Sequence, residues 1–168
     1  MFTQEINDYV AHTNESLRAA VKEYFEDKAA CERRHGKMNT WDVGRVTDMS
    51  LLFDDQEYFH DDIGAWDTSS VTTMERMFSN CHSFTGQGIG AWHTSSVTDM
   101  SWMFAGCHVF DADIGAWDTS AVKDMFAMFQ RARIFKRDLS RWDVSALEDL
   151  GLMFDGASAM QPEHHPRA

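Results

Sequence analysis

The sequence predicts an α/β solenoid, with short parallel strands on one face, short helices on the other and a helical cap at its start. Three observations predict it. Five of the six tryptophans stand at positions 41, 66, 92, 117 and 142, spaced 25, 26, 25 and 25 residues apart. After each of them the same order of apolar residues returns, and before the first lies an amphipathic stretch outside the repeat. Self-similarity at a fixed period of this length marks stacked repeats. One copy buries too few side chains to offset the ordering of its own backbone, so neighbouring copies must share their burial.

The elements follow in chain order. Residues 1–40 read as the N-terminal helical cap, because Leu17, Ala20, Val21, Tyr24 and Phe25 form one apolar stripe, with Asn14 placed to cap that helix and Gly36 to stop it. Phe2, Ile6, Tyr9 and Val10 carry helical spacing upstream. Five repeats follow, at 41–65, 66–91, 92–116, 117–141 and 142–160, and 161–168 is a tail. Each repeat opens on a predicted strand. An apolar residue three positions before tryptophan (Met38, Ile63, Ile89, Ile114, Leu139) and a Val or Thr two positions after it (Val43, Thr68, Thr94, Thr119, Val144) match the L-x-x-L-x-L spacing of a leucine-rich-like repeat.

The rest of each repeat predicts a short helix. Met74, Met77, Phe78, Cys81 and Phe84 recur at steps of three and four, which is one helix face. The face returns as Met49, Leu52, Phe53, Phe59; as Met100, Met103, Phe104, Cys107, Phe110; as Met125, Met128, Phe129, Ala132, Phe135; and as Leu150, Met153, Phe154. Ser70, Thr72, Ser96 and Thr98 supply capping oxygens, and Asp48, Asp99, Asp124 and Asp149 place carboxylates in the first turn. The extra residue of the second repeat falls in Thr85–Gly88, where two glycines tolerate a bulged loop.

Two stretches carry a resemblance. Ile63-Gly64-Ala65-Trp66-Asp67-Thr68-Ser69-Ser70-Val71-Thr72-Thr73-Met74 and Phe110-Asp111-Ala112-Asp113-Ile114-Gly115-Ala116-Trp117-Asp118-Thr119-Ser120 resemble the BspA-like leucine-rich-type repeats first noted as a domain of unknown function in mycoplasma surface proteins, in versions abundant in marine algae and other protists. The likeness runs from about residue 14 to 160. It implies a right-handed solenoid with a parallel sheet on one face and a role in surface attachment or protein binding, and it brings no catalytic residue. The chain departs from the pattern at His93, where the family usually has Asp, and at Arg137 and Arg141, which make the fourth repeat more basic.

Composition narrows the function. The 15 basic and 27 acidic residues give a net charge of −12, which opposes phosphate backbones and anionic lipid, so nucleic acid is not an expected partner. No apolar run is long enough to span a bilayer, and the opening Met1-Phe2-Thr3-Gln4-Glu5 lacks a signal-peptide layout, so an intracellular or organellar setting is favoured over an extracellular surface. Three cysteines, Cys31, Cys81 and Cys107, suit neither a disulfide framework nor a four-cysteine metal site.

The chemistry-bearing columns read as structure. Asp42, Asp67, His93, Asp118 and Asp143 would stack about 4.8 Å apart, either as a cation-binding stripe or, the favoured reading, as Asx-turn acceptors for the following amides. Cys81-His82 and Cys107-His108 invite a two-Cys, two-His site, but neighbouring residues on a helix diverge by about 100°, and buried thiol packing is favoured. No Gly-rich phosphate loop, H-E-x-x-H or G-x-S-x-G is present, so the chain is expected to be no enzyme and to carry no cofactor and no metal.

The expected function is therefore protein binding or scaffolding, as an accessory subunit docking onto a larger assembly, with a secreted or cell-surface adhesin as the alternative. Leu51, Trp102, Phe126 and Leu152 read as a convex contact patch. Leu150, Met153, Phe154 and Met160 read as an open C-terminal end that another chain, or a second copy as homodimer, must cover.

Overall fold

The computed structural model describes residues 11–167, so the upstream spacing of Phe2, Ile6, Tyr9 and Val10 lies outside the described residues. Two helices, α1 (Asn14–Glu26) and α2 (Lys28–His35), pack against each other ahead of the first repeat. Thr13, not Asn14, caps α1: its hydroxyl accepts from the Ser16 amide while the Ser16 hydroxyl accepts from the Thr13 amide, a reciprocal capping box. Asp27 ends α1 by leaving the helical region (φ −150°, ψ 87°) and its carboxylate accepts from the Ala30 amide at 2.9 Å, so the one predicted helix is two. Gly36 stops α2 at φ 75°, where a side chain would be strained.

In the repeats the α/β solenoid is overturned. The described residues contain no β-strand and no α-helix besides α1 and α2; the repeats are turns, with a 3-10 turn at Ile89–Ala91 and single parallel bridges joining Asp48, Thr73, Asp99, Asp124 and Asp149 in series. The reason lies in where the amides point. In the second coil the Met77 amide donates to Met74 O and the Ser79 amide to Arg76 O, while the Met74, Arg76, Phe78 and Asn80 amides donate to Asp99, Ser101, Met103 and Ala105 O of the third coil at 2.7 to 3.0 Å. A helix would keep every one of these bonds inside the segment. Here alternate amides leave it and tie coil to coil.

Two left-handed positions per coil make the alternation. Leu51, Arg76, Trp102, Ala127 and Leu152 form one column, and Asp55, Asn80, Gly106, Arg131 and Gly156, four residues on, form the other, all at φ between 53° and 73°. A left-handed residue every fourth position closes one tight turn after another. The three-and-four spacing of buried side chains is the period of those turns. Around each of the five periodic tryptophans the tryptophan amide bonds locally, as from Trp66 to Ile63 O, so the coil-to-coil ladder runs where helices were expected and not where strands were. The predicted capping oxygens also serve the stack: the Ser70, Thr72, Ser96 and Thr98 hydroxyls donate to Gly44, Thr47, Ser69 and Thr72 O of the preceding coil.

The core is a continuous aromatic column. Phe53, Phe78, Phe104, Phe129 and Phe154 stack ring on ring at 5.5 to 5.7 Å. Phe59, Phe84, Phe110 and Phe135 back the first four within their own coils at 4.0 to 4.2 Å. Each of the five periodic tryptophans is buried, and from the second on the indole N–H is donated backwards, from Trp66, Trp92, Trp117 and Trp142 to Met38, Ile63, Ile89 and Ile114 O. A buried indole needs such a partner, and a carbonyl one coil back supplies it at every step, which is why tryptophan recurs at the period. In the bulged loop Gly88 (φ 82°) lies against Gly64 so closely that a Cβ on Gly64 would stand 2.6 Å from the Gly88 Cα.

Candidate functional site

A stack of coils has two unlike ends, and the ladder decides how. Along the Met-to-Phe ladder amides point toward the following coil and carbonyls toward the preceding one, while the amides just before it, such as Thr72 to Thr47 O, point backwards; the ladder therefore presents acceptors at the first coil and donors at the last. The two ends are treated differently.

At the first coil α1 stands in for a missing predecessor. Between coils, the Lys123 and Asp124 amides share Thr98 O at 2.8 and 3.4 Å, and the Glu148 and Asp149 amides share Lys123 O at 2.8 and 3.2 Å. At the edge the Thr47 and Asp48 amides share the Asn14 side-chain oxygen at 2.9 and 3.2 Å, so Asn14 caps the stack and not the helix. Arg18 replaces one ladder donor, its Nη1 reaching Ser50 O at 2.6 Å, while its Nη2 pairs with Asp48 Oδ1 at 2.9 Å. The His12 amide fills the same role at Asp42 O, an acceptor that Thr68, Thr94 and Thr119 hydroxyls serve in the next coils (His93, Asp118 and Asp143 O). Met49 is accordingly 0% exposed.

At the last coil the Leu150, Leu152, Phe154 and Gly156 amides correspond to the ladder donors Met125, Ala127, Phe129 and Arg131, and they have no acceptor among the described residues. Leu150 continues the column of Met49, Met74, Met100 and Met125, which are fully buried, yet is 55% exposed. Leu152 is 52% exposed beside it. With Val144, Leu147, Met153, Phe154 and Pro166 they line an open depression of about 510 Å³.

The sequence-predicted contact residues divide. Leu150 and Leu152 sit at this edge, but Met153 and Met160 are buried. The tail that was expected to offer no cover folds back: a 3-10 turn at Pro162–His164 brings His164 O to the Leu139 amide at 2.9 Å, and His165 stacks on Phe154 at 4.3 Å, continuing the phenylalanine row. The tail thus closes the aromatic side and leaves the ladder side open. The patch of Leu51, Trp102, Phe126 and Leu152 is not one surface. Leu51, 49% exposed, lies beside α1, and Arg76 separates it from Trp102. Phe126 belongs to the neighbouring column of Ser50, Glu75, Ser101 and Gly151, with its ring against Trp102 at 5.5 Å and over Gly151; both aromatics are half-buried.

The acidic column is a column of turns. Asp42, Asp67, Asp118 and Asp143 accept from the amides of Gly44, Ser69, Ser120 and Ser145 two residues on, at 2.9 to 3.1 Å. Hydrogen bonds from Ser69, Ser120 and Ser145 hold the carboxyls of Asp67, Asp118 and Asp143 below the usual range. The thiols of Cys81 and Cys107 donate to Phe53 and Phe78 O at 3.0 Å, away from the His82 and His108 rings, which stack on each other at 4.6 Å. Burial pushes Cys81 up to about 12 and Cys107 well above its ordinary value.

One cluster escaped sequence reasoning. Glu23, Cys31 and His35 bring ligand atoms within 4.8 Å of one another, and Cys31 and His35, four apart on α2, were the available signal. Each has a partner within the protein: Glu23 takes Arg34 at 3.0 Å and His35 at 3.3 Å, and the Cys31 thiol donates to Ala20 O, with burial raising it to about 11. The cluster ties α1 to α2. No helix among the described residues is long and apolar enough to cross a membrane.

Comparison with known proteins finds one family. The family model described as a mycoplasma protein of unknown function, DUF285, matches residues 19–87 and 74–165. No curated protein and no solved structure matches the chain.

Proposed function

This chain belongs to the BspA-like mycoplasma family of unknown function, and we propose that it is a non-enzymatic protein-binding module whose C-terminal edge docks onto a larger protein assembly. One observation carries the reading: Leu150 is 55% exposed at the end of a column that is otherwise fully buried. Covering such a row removes apolar surface from water, and its exposure where α1 covers the opposite end supports an interface at this edge. The negative surface charge directs the module to protein and away from nucleic acid.

The experiment compares the tagged chain with a Leu150→Asp/Leu152→Asp variant as bait in native extract. Both side chains face solvent, so the variant keeps its tryptophan fluorescence and its unfolding midpoint. The expected result is a defined protein retained by the chain and lost with the variant. Equal retention by both baits contradicts the reading.

A further inference from the structure

We infer that the occupant of the C-terminal edge is a short segment of another polypeptide in the same alternating turn conformation, presenting its backbone carbonyls at every second residue. The inference rests on the docking reading above and specifies its partner. Four amides, Leu150, Leu152, Phe154 and Gly156, stand at two-residue intervals without an acceptor among the described residues. At each internal junction the same four positions meet carbonyls at two-residue intervals, such as Asp149, Gly151, Met153 and Asp155 O opposite the fourth coil. An α-helix spends its carbonyls internally and cannot supply that row. Side-chain acceptors can match one or two donors, as Asn14 does at the other end, but not four in register.

The space fits a segment and not a whole coil. His165 already occupies the next place in the phenylalanine row and His164 O has taken the Leu139 amide. What is open is the ladder side, the depression bordered by Val144, Leu147, Leu150 and Leu152. There an incoming segment would lay one apolar side chain on Leu150, as Leu150 continues the Met125 column.

A second copy of this chain is the wrong partner on polarity. Two C-terminal edges brought together set N–H groups against N–H groups. The opposite edge of a copy is covered by α1, with Ser50 O already taken by Arg18.

The test follows the amides of the full chain by heteronuclear NMR. The probe is a peptide copying residues 95–106, whose Asp99, Ser101, Met103 and Ala105 carbonyls face the preceding coil in the structure. It is used free, and also joined after Ala168 through a Gly/Ser linker of about 12 residues, which raises its effective concentration to roughly millimolar and offsets its cost of ordering. The expected result is hydrogen exchange slowed about tenfold or more at Leu150, Leu152, Phe154 and Gly156, with no such effect from a scrambled sequence. No slowing with the tethered probe overturns the inference. So does protection of these amides that grows with the concentration of the chain alone, which would make a second copy the occupant. If the protein retained in the docking experiment depends on Leu150 and Leu152 but leaves the four amides unprotected, docking stands and the ladder partner falls.

Discussion

The two ends of the stack pose opposite problems, and only one is covered by a helix within the described residues. At the first coil the unmatched groups are mostly carbonyls and one pair of amides, and side chains on α1 meet part of them: Asn14 copies a carbonyl for the two amides, and Arg18 donates to Ser50 O and to the Asp48 carboxylate. At the last coil four amides in a row face outward beside exposed leucines. The difference teaches that a stack of turns has a polarity, and that a helix with well-placed side chains suits its acceptor end. The donor end asks for backbone.

The largest expected effect sets equivalent residues of the two ends against each other. Met49→Ala removes a side chain that α1 keeps wholly buried and costs about 2 to 5 kcal/mol of stability. Leu150→Ala, in the same column at the open end, stays within about 0.5 kcal/mol. Urea unfolding of both variants measures the contrast, and equal losses would remove it. Next in size is Asn14→Ala, which leaves the Thr47 and Asp48 amides without their shared oxygen and costs about 1 kcal/mol at this exposed site. Were Asn14 only a solvent-facing helix residue, alanine would be neutral or better.

A smaller effect separates turns from helices. Arg131 holds φ 58° in the column where Gly106 and Gly156 stand, so Arg131→Gly is expected to leave stability unchanged or raise it by about 0.5 kcal/mol. Inside a helix the same change costs about 1 kcal/mol.

The dependence on pH follows from signs. Asp67, Asp118 and Asp143 have depressed values in the fold, so their contribution is complete above the unfolded carboxyl range of about 4 and is lost as pH falls through the folded values. His12 at the covered end is lowered by burial and by His35, against the opposing pull of Asp42. A depressed imidazole favours the neutral form in the fold, so its contribution is complete above about 6.5 and begins to fade below it. Thermal melts are therefore expected to decline below about pH 6.5 and further below about pH 4, and His12→Gln to reduce the first decline, which His108, lowered by burial and by His82, shares, while leaving the second unchanged.

Much of this molecule is legible in its sequence. The period, the repeat register, the aromatic core and the helical start follow from tryptophan spacing and apolar pattern, because burial fixes which residues recur. The local conformation does not follow, because a run of tight turns buries residues at steps of three and four just as a helix does. The discriminating signal was the column Asp55, Asn80, Gly106, Arg131, Gly156, whose residue types favour the left-handed region in four of five cases. Phe126 was placed one column off because it follows Met125 directly while Trp102 follows Met100 by two. The tail's fold-back left no mark, since His164 acts through its backbone carbonyl and His165 through a ring that pattern reading does not count as apolar.

The most direct test is residue-resolved hydrogen exchange of the free chain at one column, Leu51, Arg76, Trp102, Ala127 and Leu152. A ladder of turns with one open end protects the first four to nearly the global unfolding free energy and leaves the Leu152 amide exchanging close to the rate of an unfolded peptide. Protection of consecutive amides along each Met-to-Phe segment, or of Leu152 as strongly as Ala127, would contradict it.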